Sequence, residues 1–310
     1  MHGHSHAHGE EHDHGHAHAH TTFGAAFAIG IALNLGFVVV EGVYGLVANS
    51  MALIADAGHN FSDVLGLAMA WGAAILVQRK PSQRFTYGLR SSSILAALTN
   101  AVLLLISVGA IAFEAFQRFL EPSPVAADTV IVVAAIGIAV NTITALLFMS
   151  GRKGDLNVRG AFLHMAADAA VSAGVVIAGF AIMATGWQRI DPLVSLAIVA
   201  VIVWGTWDLL RDALAMSLQG VPTNVDASAV RAFLAGHPGV KEVHDLHIWA
   251  MSTTETALTC HLVMPGGFPG DDALMLMSNA LRDRFAIPHA TLQVETGHET
   301  ACALASDDVV

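Results

Sequence analysis

The chain has 310 residues, 55% of them hydrophobic and only 13% charged, with a mean hydropathy of +0.60. A soluble domain carries about 25% charged and about 45–50% apolar residues, so this composition argues against a soluble enzyme and leaves a polytopic membrane protein with a soluble appendage. Two cysteines, Cys260 and Cys302, cannot build a disulfide framework, and a net charge of −11 argues against a nucleic-acid partner.

The chain opens on a histidine-rich head, residues 1–22. Nine of the 17 histidines fall here: His2, His4, His6, His8, His12, His14, His16, His18 and His20. They alternate with Gly, Ala, Ser, Asp and Glu, a pattern that cannot bury a core and is expected to be disordered. Its imidazoles suit a borderline-soft divalent ion. The start of the chain lacks the basic flank and immediate apolar core of a cleaved signal peptide.

Six apolar stretches of membrane-spanning length follow, over 23–46, 52–77, 92–119, 125–149, 161–185 and 192–215. The breaks between them carry turn chemistry, as in Ala48-Asn49-Ser50 and Glu121-Pro122-Ser123-Pro124. Eight basic residues (Arg79, Lys80, Arg84, Arg90, Arg152, Lys153, Arg159 and Arg211) fall on one side, against Arg118 and Arg189 on the other. The positive-inside rule then places both termini in the cytoplasm. The spans give a transmembrane domain over 23–220, and residues 221–310 return to ordinary charge density. In that last part 226–235 reads as a helix with an Asp cap, 241–251 and 255–264 as strands, 271–285 as a second helix, and 290–295 as a final strand. The expected fold is thus an α-helical membrane protein, a six-span bundle plus a small cytoplasmic α/β domain of order α-β-β-α-β.

Ionisable residues inside hydrocarbon are costly and by default mark a site or pathway. The second span holds Asp56, His59 and Asp63; the fifth holds His164 and Asp168. His59/Asp63 and His164/Asp168 repeat one pattern, His-x-x-x-Asp, which puts both side chains on one helix face a turn apart. Two such faces turned together offer two imidazole nitrogens and two carboxylate oxygens, a tetrahedral set suited to Zn²⁺. A bland alternative is a polar clamp between helices. Glu41 and Glu114 read as snorkelling groups near helix ends, and Asn34 and Asn141 as hydrogen-bonding partners between helices.

With the head, the six spans, the stretch Ser50-Met51-Ala52-Leu53-Ile54-Ala55-Asp56-Ala57-Gly58-His59-Asn60-Phe61-Ser62-Asp63 and the later Val243-His244-Asp245-Leu246-His247-Ile248-Trp249, the chain resembles the cation diffusion facilitator family over about 25–295. The resemblance implies a homodimer in the inner (cell) membrane that exports cytosolic Zn²⁺ in exchange for protons. Cd²⁺, Co²⁺ and Ni²⁺ are further candidate substrates. It also implies a cytoplasmic domain like a metallochaperone. By that likeness the transport site is His59, Asp63, His164 and Asp168. The loop 78–84, without Asp or His, lacks the second metal site of some relatives. In the cytoplasmic domain His244 and His261 fall on family ligand positions, while Gln293 and Glu295 stand where some relatives have His and Asp. His298 and Cys302 follow and could complete a site holding a structural or regulatory Zn²⁺. His237, His247 and His289 are read as structural.

No G-x-x-x-x-G-K-[ST] is present, which argues against a nucleotide partner, and no H-E-x-x-H, which argues against an intramembrane zinc hydrolase. The expected activity is therefore proton-coupled metal transport rather than enzymatic chemistry. A passive divalent-metal channel and a non-transporting metal sensor are the alternatives.

Overall fold

The computed structural model describes residues 19–149, 156–297, 302 and 304. Most of the histidine-rich head and His298 lie outside them. Six long helices come first: α1 (Ala19–Val47), α2 (Met51–Val77), α3 (Ser92–Leu120), α4 (Ala127–Met149), α5 (Leu156–Thr185) and α6 (Ile190–Ser217). Helix α1 begins four residues ahead of the apolar run at Phe23, because a nucleated helix adds one hydrogen bond for each further residue ordered. Pro192 is tolerated inside α6 because it lies in the first turn, where N–H groups have no helical partner.

Among the described residues, four helical stretches are long and apolar enough to cross a membrane: Ser92–Leu120, Ala127–Leu147, Phe162–Thr185 and Ile190–Ser217. Ile106, Phe113 and Phe116 on α3 and Val201, Trp204 and Trp207 on α6 are exposed. An apolar surface of that extent is stable only in hydrocarbon or against another protein.

The chain divides into two compact units, Met1–Ala57 with Arg118–Val194, and Gly58–Gln117 with Ser195–Val310. In the first, α4 packs along α5 and α1 along α4. Small residues allow the close approach: a Cβ on Gly179 would stand 2.6 Å from Ile131 Cγ1, and one on Gly137 would stand 2.7 Å from Phe37 Cζ. The start of α2 is capped locally by the Ser50 hydroxyl, which accepts from the Leu53 N–H at 3.3 Å, and also from outside its own helix. Buried Asp191, at the head of α6, accepts from the Ser50 hydroxyl, from the Met51 N–H at 2.7 Å and from the Ala52 N–H at 3.5 Å. A carboxylate there satisfies orphan N–H donors and sits favourably at the positive end of the helix dipole. Glu41 is fully buried, which corrects the snorkelling reading: its side chain is enclosed by packed protein rather than reaching an interface. Asn34 donates to Met165 Sδ at 3.5 Å, bridging helices as expected. Asn141 is buried but makes no hydrogen bond among the described residues, contrary to its expected bridging role.

In the second unit the C-terminal domain follows the order α7 (Ala227–Ala235), β1 (Glu242–Ala250), β2 (Thr256–Val263), α8 (Asp271–Phe285), β3 (His289–Glu295). Asp226 caps α7 through the Ser228 and Ala229 N–H groups. The sheet order is β1-β2-β3, with β1 antiparallel and β3 parallel to the central β2. Leu258, Cys260 and Leu262 of β2 share one face and join Val230 and Leu234 of α7 and Met277 and Leu281 of α8 in the core. His261, by the period of two, belongs to the opposite face. The loop after α2 and the start of α3 hold the β1–β2 turn. Arg90 pairs with Glu255, the Ser93 hydroxyl accepts from the Thr253 N–H at 3.1 Å, and Tyr87 meets His289 edge-on at 5.5 Å.

Candidate metal centres

Helical spacing delivers each expected transport pair. On α2, His59 Nε2 lies 3.6 Å from Asp63 Oδ2; on α5, His164 Nε2 lies 3.6 Å from Asp168 Oδ2. Two ligand atoms bonded to Zn²⁺ at about 2.0–2.2 Å with a tetrahedral angle stand about 3.4 Å apart, so each pair is spaced for chelation rather than for a direct hydrogen bond. Asp168 is buried, while His59, Asp63 and His164 are partly accessible. The second unit carries the α2 pair and the first unit the α5 pair. Asp56, the other ionisable residue of the second apolar stretch, is buried and accepts from the Ser172 hydroxyl of α5 at 3.2 Å.

A second cluster forms on the helix-free face of the C-terminal sheet. Register sets His244 directly opposite His261 across β1 and β2, and Gln293 opposite His261 across β2 and β3, which puts Glu295 on the same face two residues on. The ligand atoms of His244, His261, Glu295 and Cys302 lie within 4.8 Å of one another. His244 Nε2 stands 3.3 Å from Glu295 Oε2; His261 Nδ1 stands 2.9 Å from Glu295 Oε1 and 3.6 Å from Cys302 Sγ. The ring nitrogens of buried His244 face the carboxylates of Glu295 at 3.3 Å and Glu242 at 4.0 Å, and neither contact is a hydrogen bond among the described residues, a pairing that a metal ion could complete. Two imidazoles, a carboxylate and a thiolate are a zinc-type donor set. His298, expected in this group, lies outside the described residues.

The two cysteines differ in kind. Cys260 faces the core, where burial, with the Asp245 carboxylate adding to it, pushes its thiol up to about 12. It stays a protonated small hydrophobe. At Cys302 the Leu304 N–H favours the thiolate, but burial and the carboxylates of Glu295 and Asp245 outweigh it and raise the thiol above its ordinary value. A cation in the cluster would reverse that balance.

Sequence reasoning missed Asp245. The β1 register shifts between His244 and His247, where Asp245 takes a left-handed φ of 49°. Strict alternation from Val243 would turn His247 into the core and Ile248 out of it. The bulge resets the parity, so Val243 and Ile248 both face the core and His244 and His247 do not. Asp245 Oδ1 then lies 2.9 Å from His247 Nε2 and Asp245 Oδ2 lies 3.4 Å from His261 Nε2. The one signal in the sequence was an Asp between two histidines in His244-Asp245-Leu246-His247. His237 Nδ1 lies 3.3 Å from Pro238 O, and His289 meets Tyr87 edge-on.

The cation efflux transmembrane domain family matches residues 27–216, and the cytoplasmic domain family of cation efflux proteins matches residues 222–297. The "Cadmium, cobalt and zinc/H(+)-K(+) antiporter" of Bacillus subtilis is 35% identical over 279 residues, covering 86% of this chain and 88% of that protein. The "Metal cation efflux system protein CzcD" of Cupriavidus metallidurans is 36% identical (86% and 85% covered), and the "Zinc transporter ZitB" of Escherichia coli is 33% identical (87% and 86%). The solved metal-bound C-terminal domain of the CzcD transporter is 36% identical over 23% of this chain and 99% of its own, at a TM-score of 0.22. Long apolar helices followed by a small sheet domain, matched in that order by both halves of one family, make this chain a multi-pass cation transporter and not an enzyme. It belongs to the cation diffusion facilitator family, in the efflux branch that includes CzcD and ZitB.

Proposed function

We propose that the chain exports Zn²⁺ from the cytoplasm in exchange for protons, with His59, Asp63, His164 and Asp168 as the ligands of its transport site. The observation that carries this reading is the identical spacing of the two His–Asp pairs, 3.6 Å each, at a chelating rather than a hydrogen-bonding distance. Zinc needs neutral imidazole and ionised carboxylate, so proton and metal compete for the same groups. Facing a more acidic exterior, the site gains protons and loses its ion; facing the cytoplasm, it does the reverse. Each pH unit across the membrane is worth about 1.4 kcal/mol per proton moved. The remaining parts of the reading are six spans, both termini in the cytoplasm, the inner membrane as location, and a homodimer. The loop charges and the match of residues 222–297 to a dimer-type cytoplasmic domain support them. In the cytoplasmic domain His244, His261, Glu295 and Cys302 would hold a resident ion that ties β1, β2, β3 and the tail together.

Zinc uptake into inside-out vesicles tests this. Uptake should require an imposed proton gradient and vanish in Asp63→Ala and in Asp168→Ala while both proteins still insert. Uptake indifferent to the proton gradient would favour a passive channel. Full uptake in either variant would remove that residue from the site.

A further inference from the structure

We propose that Asp245 is a positioning residue of the C-terminal metal cluster, holding the Nε2 edge of His261 so that its Nδ1 is presented to the ion. This rests on the reading that His244, His261, Glu295 and Cys302 bind metal. Around the His261 ring, Nδ1 faces Glu295 Oε1 at 2.9 Å and Cys302 Sγ at 3.6 Å, and the His244 ring stands edge-on at 5.2 Å. The Nε2 edge faces Asp245 Oδ2 at 3.4 Å. A carboxylate is an acceptor only: in the metal-free ring Glu295 Oε1 competes for the proton at Nδ1, and once an ion engages Glu295 and the Nδ1 lone pair, Asp245 is the acceptor that takes the proton on Nε2 and fixes the ring. The other Asp245 oxygen is engaged by His247 Nε2 at 2.9 Å, which fixes the carboxylate in turn. A chain His247–Asp245–His261 thus leads from the domain surface to the cluster.

The backbone gives a second, independent argument. Asp245 sits at a φ of 49° within a β-bulge, in the left-handed region where a residue with a Cβ is strained. Glycine would make that bulge more easily and asparagine equally well. An aspartate with its side chain only 11% exposed, spanning two imidazoles, is more than the turn requires.

The full-length protein in detergent, titrated with Co²⁺, tests the assignment. The readout is the cobalt–thiolate charge-transfer absorption, which only a cysteine ligand can produce. Cys260 points into the core, so Cys302 is the thiolate available. The head histidines and the His–Asp pairs bind cobalt without a thiolate and are common to every variant compared. Wild type should show the band and Cys302→Ser should lose it. Asp245→Asn should keep the band but need about 10–100-fold more cobalt to reach it, the usual cost of losing an outer partner of a ligating histidine. Asp245→Gly, which relieves the backbone, should behave alike, with metal-free melting no lower than wild type. A purely structural role predicts the opposite: shifted metal-free melting and an unchanged cobalt midpoint, and that result in both variants would overturn the proposal. Absence of the band in wild type, or its survival in Cys302→Ser, would instead overturn the metal cluster itself.

Discussion

Asp191 is the residue on which the start of α2 depends, and its loss can be given a magnitude. Its carboxylate accepts from the Ser50 hydroxyl and, at 2.7 Å, from the Met51 N–H; the Ala52 N–H at 3.5 Å is too distant to count for much. A hydrogen bond to a charged group contributes about 1.5–3 kcal/mol, and a buried donor left unpaired costs a comparable amount. Asp191→Ala removes both strong bonds together, so a destabilisation of about 3–5 kcal/mol is expected. Asp191→Asn keeps one carbonyl oxygen and can retain one bond, for about 1.5–3 kcal/mol. Ser50→Ala removes the hydroxyl's bond to the carboxylate and the one that it accepts from the Leu53 N–H at 3.3 Å but leaves the Met51 contact, for about 1.5–3 kcal/mol. Thermal unfolding of the three variants in detergent, metal-free, should show Asp191→Ala as the least stable and the other two between it and the wild type. An unchanged melting temperature for Asp191→Ala would refute the idea that this cross-helix cap anchors α2, eight residues ahead of His59.

His59→Asp turns the α2 pair into two carboxylates, a harder and more anionic set, so cadmium uptake should rise relative to zinc in the same vesicles; an unchanged ratio in a variant that still transports would take His59 out of the ligand shell. Deleting residues 2–20 should leave maximal zinc transport intact and weaken it mainly at low zinc, whereas complete loss at saturating zinc with normal expression would show the head to be part of the pathway. In mildly alkaline buffer a small alkylating reagent should modify Cys302, and bound metal should protect it, while Cys260 reacts only after unfolding. The Cys260 thiol is held at about 12, above its ordinary value of 9.0, so its contribution to stability is full below pH 9.0 and is lost as pH rises towards 12. Cys260→Ala should flatten the alkaline limb of the stability profile in that window, as read by melting temperature against pH.

The sequence by itself determined what depends on short-range spacing and on composition. Hydrocarbon tolerates only helices of a certain length and few charges, so the apolar runs and the two His-x-x-x-Asp pairs were legible as written, and helical geometry set His59 beside Asp63 and His164 beside Asp168. The strands and helices of the C-terminal domain were legible for the same reason, each carrying its own period and caps. Only the tertiary structure decided the features that join distant positions. The Asp191 cap on Ser50 and Met51 spans about 140 residues, and no local pattern marks a carboxylate as the cap of another helix. Glu41 looked like an interfacial group because its place near a helix end was visible, while the tertiary packing that buries it was not. In the sheet the alternation of β1 gave no sign of the bulge at Asp245, because its cause lies in the partner strand: Val243 and Ile248 must both reach the core while His244 meets His261. Side-chain parity is a property of paired strands, and pairing exists only in the fold.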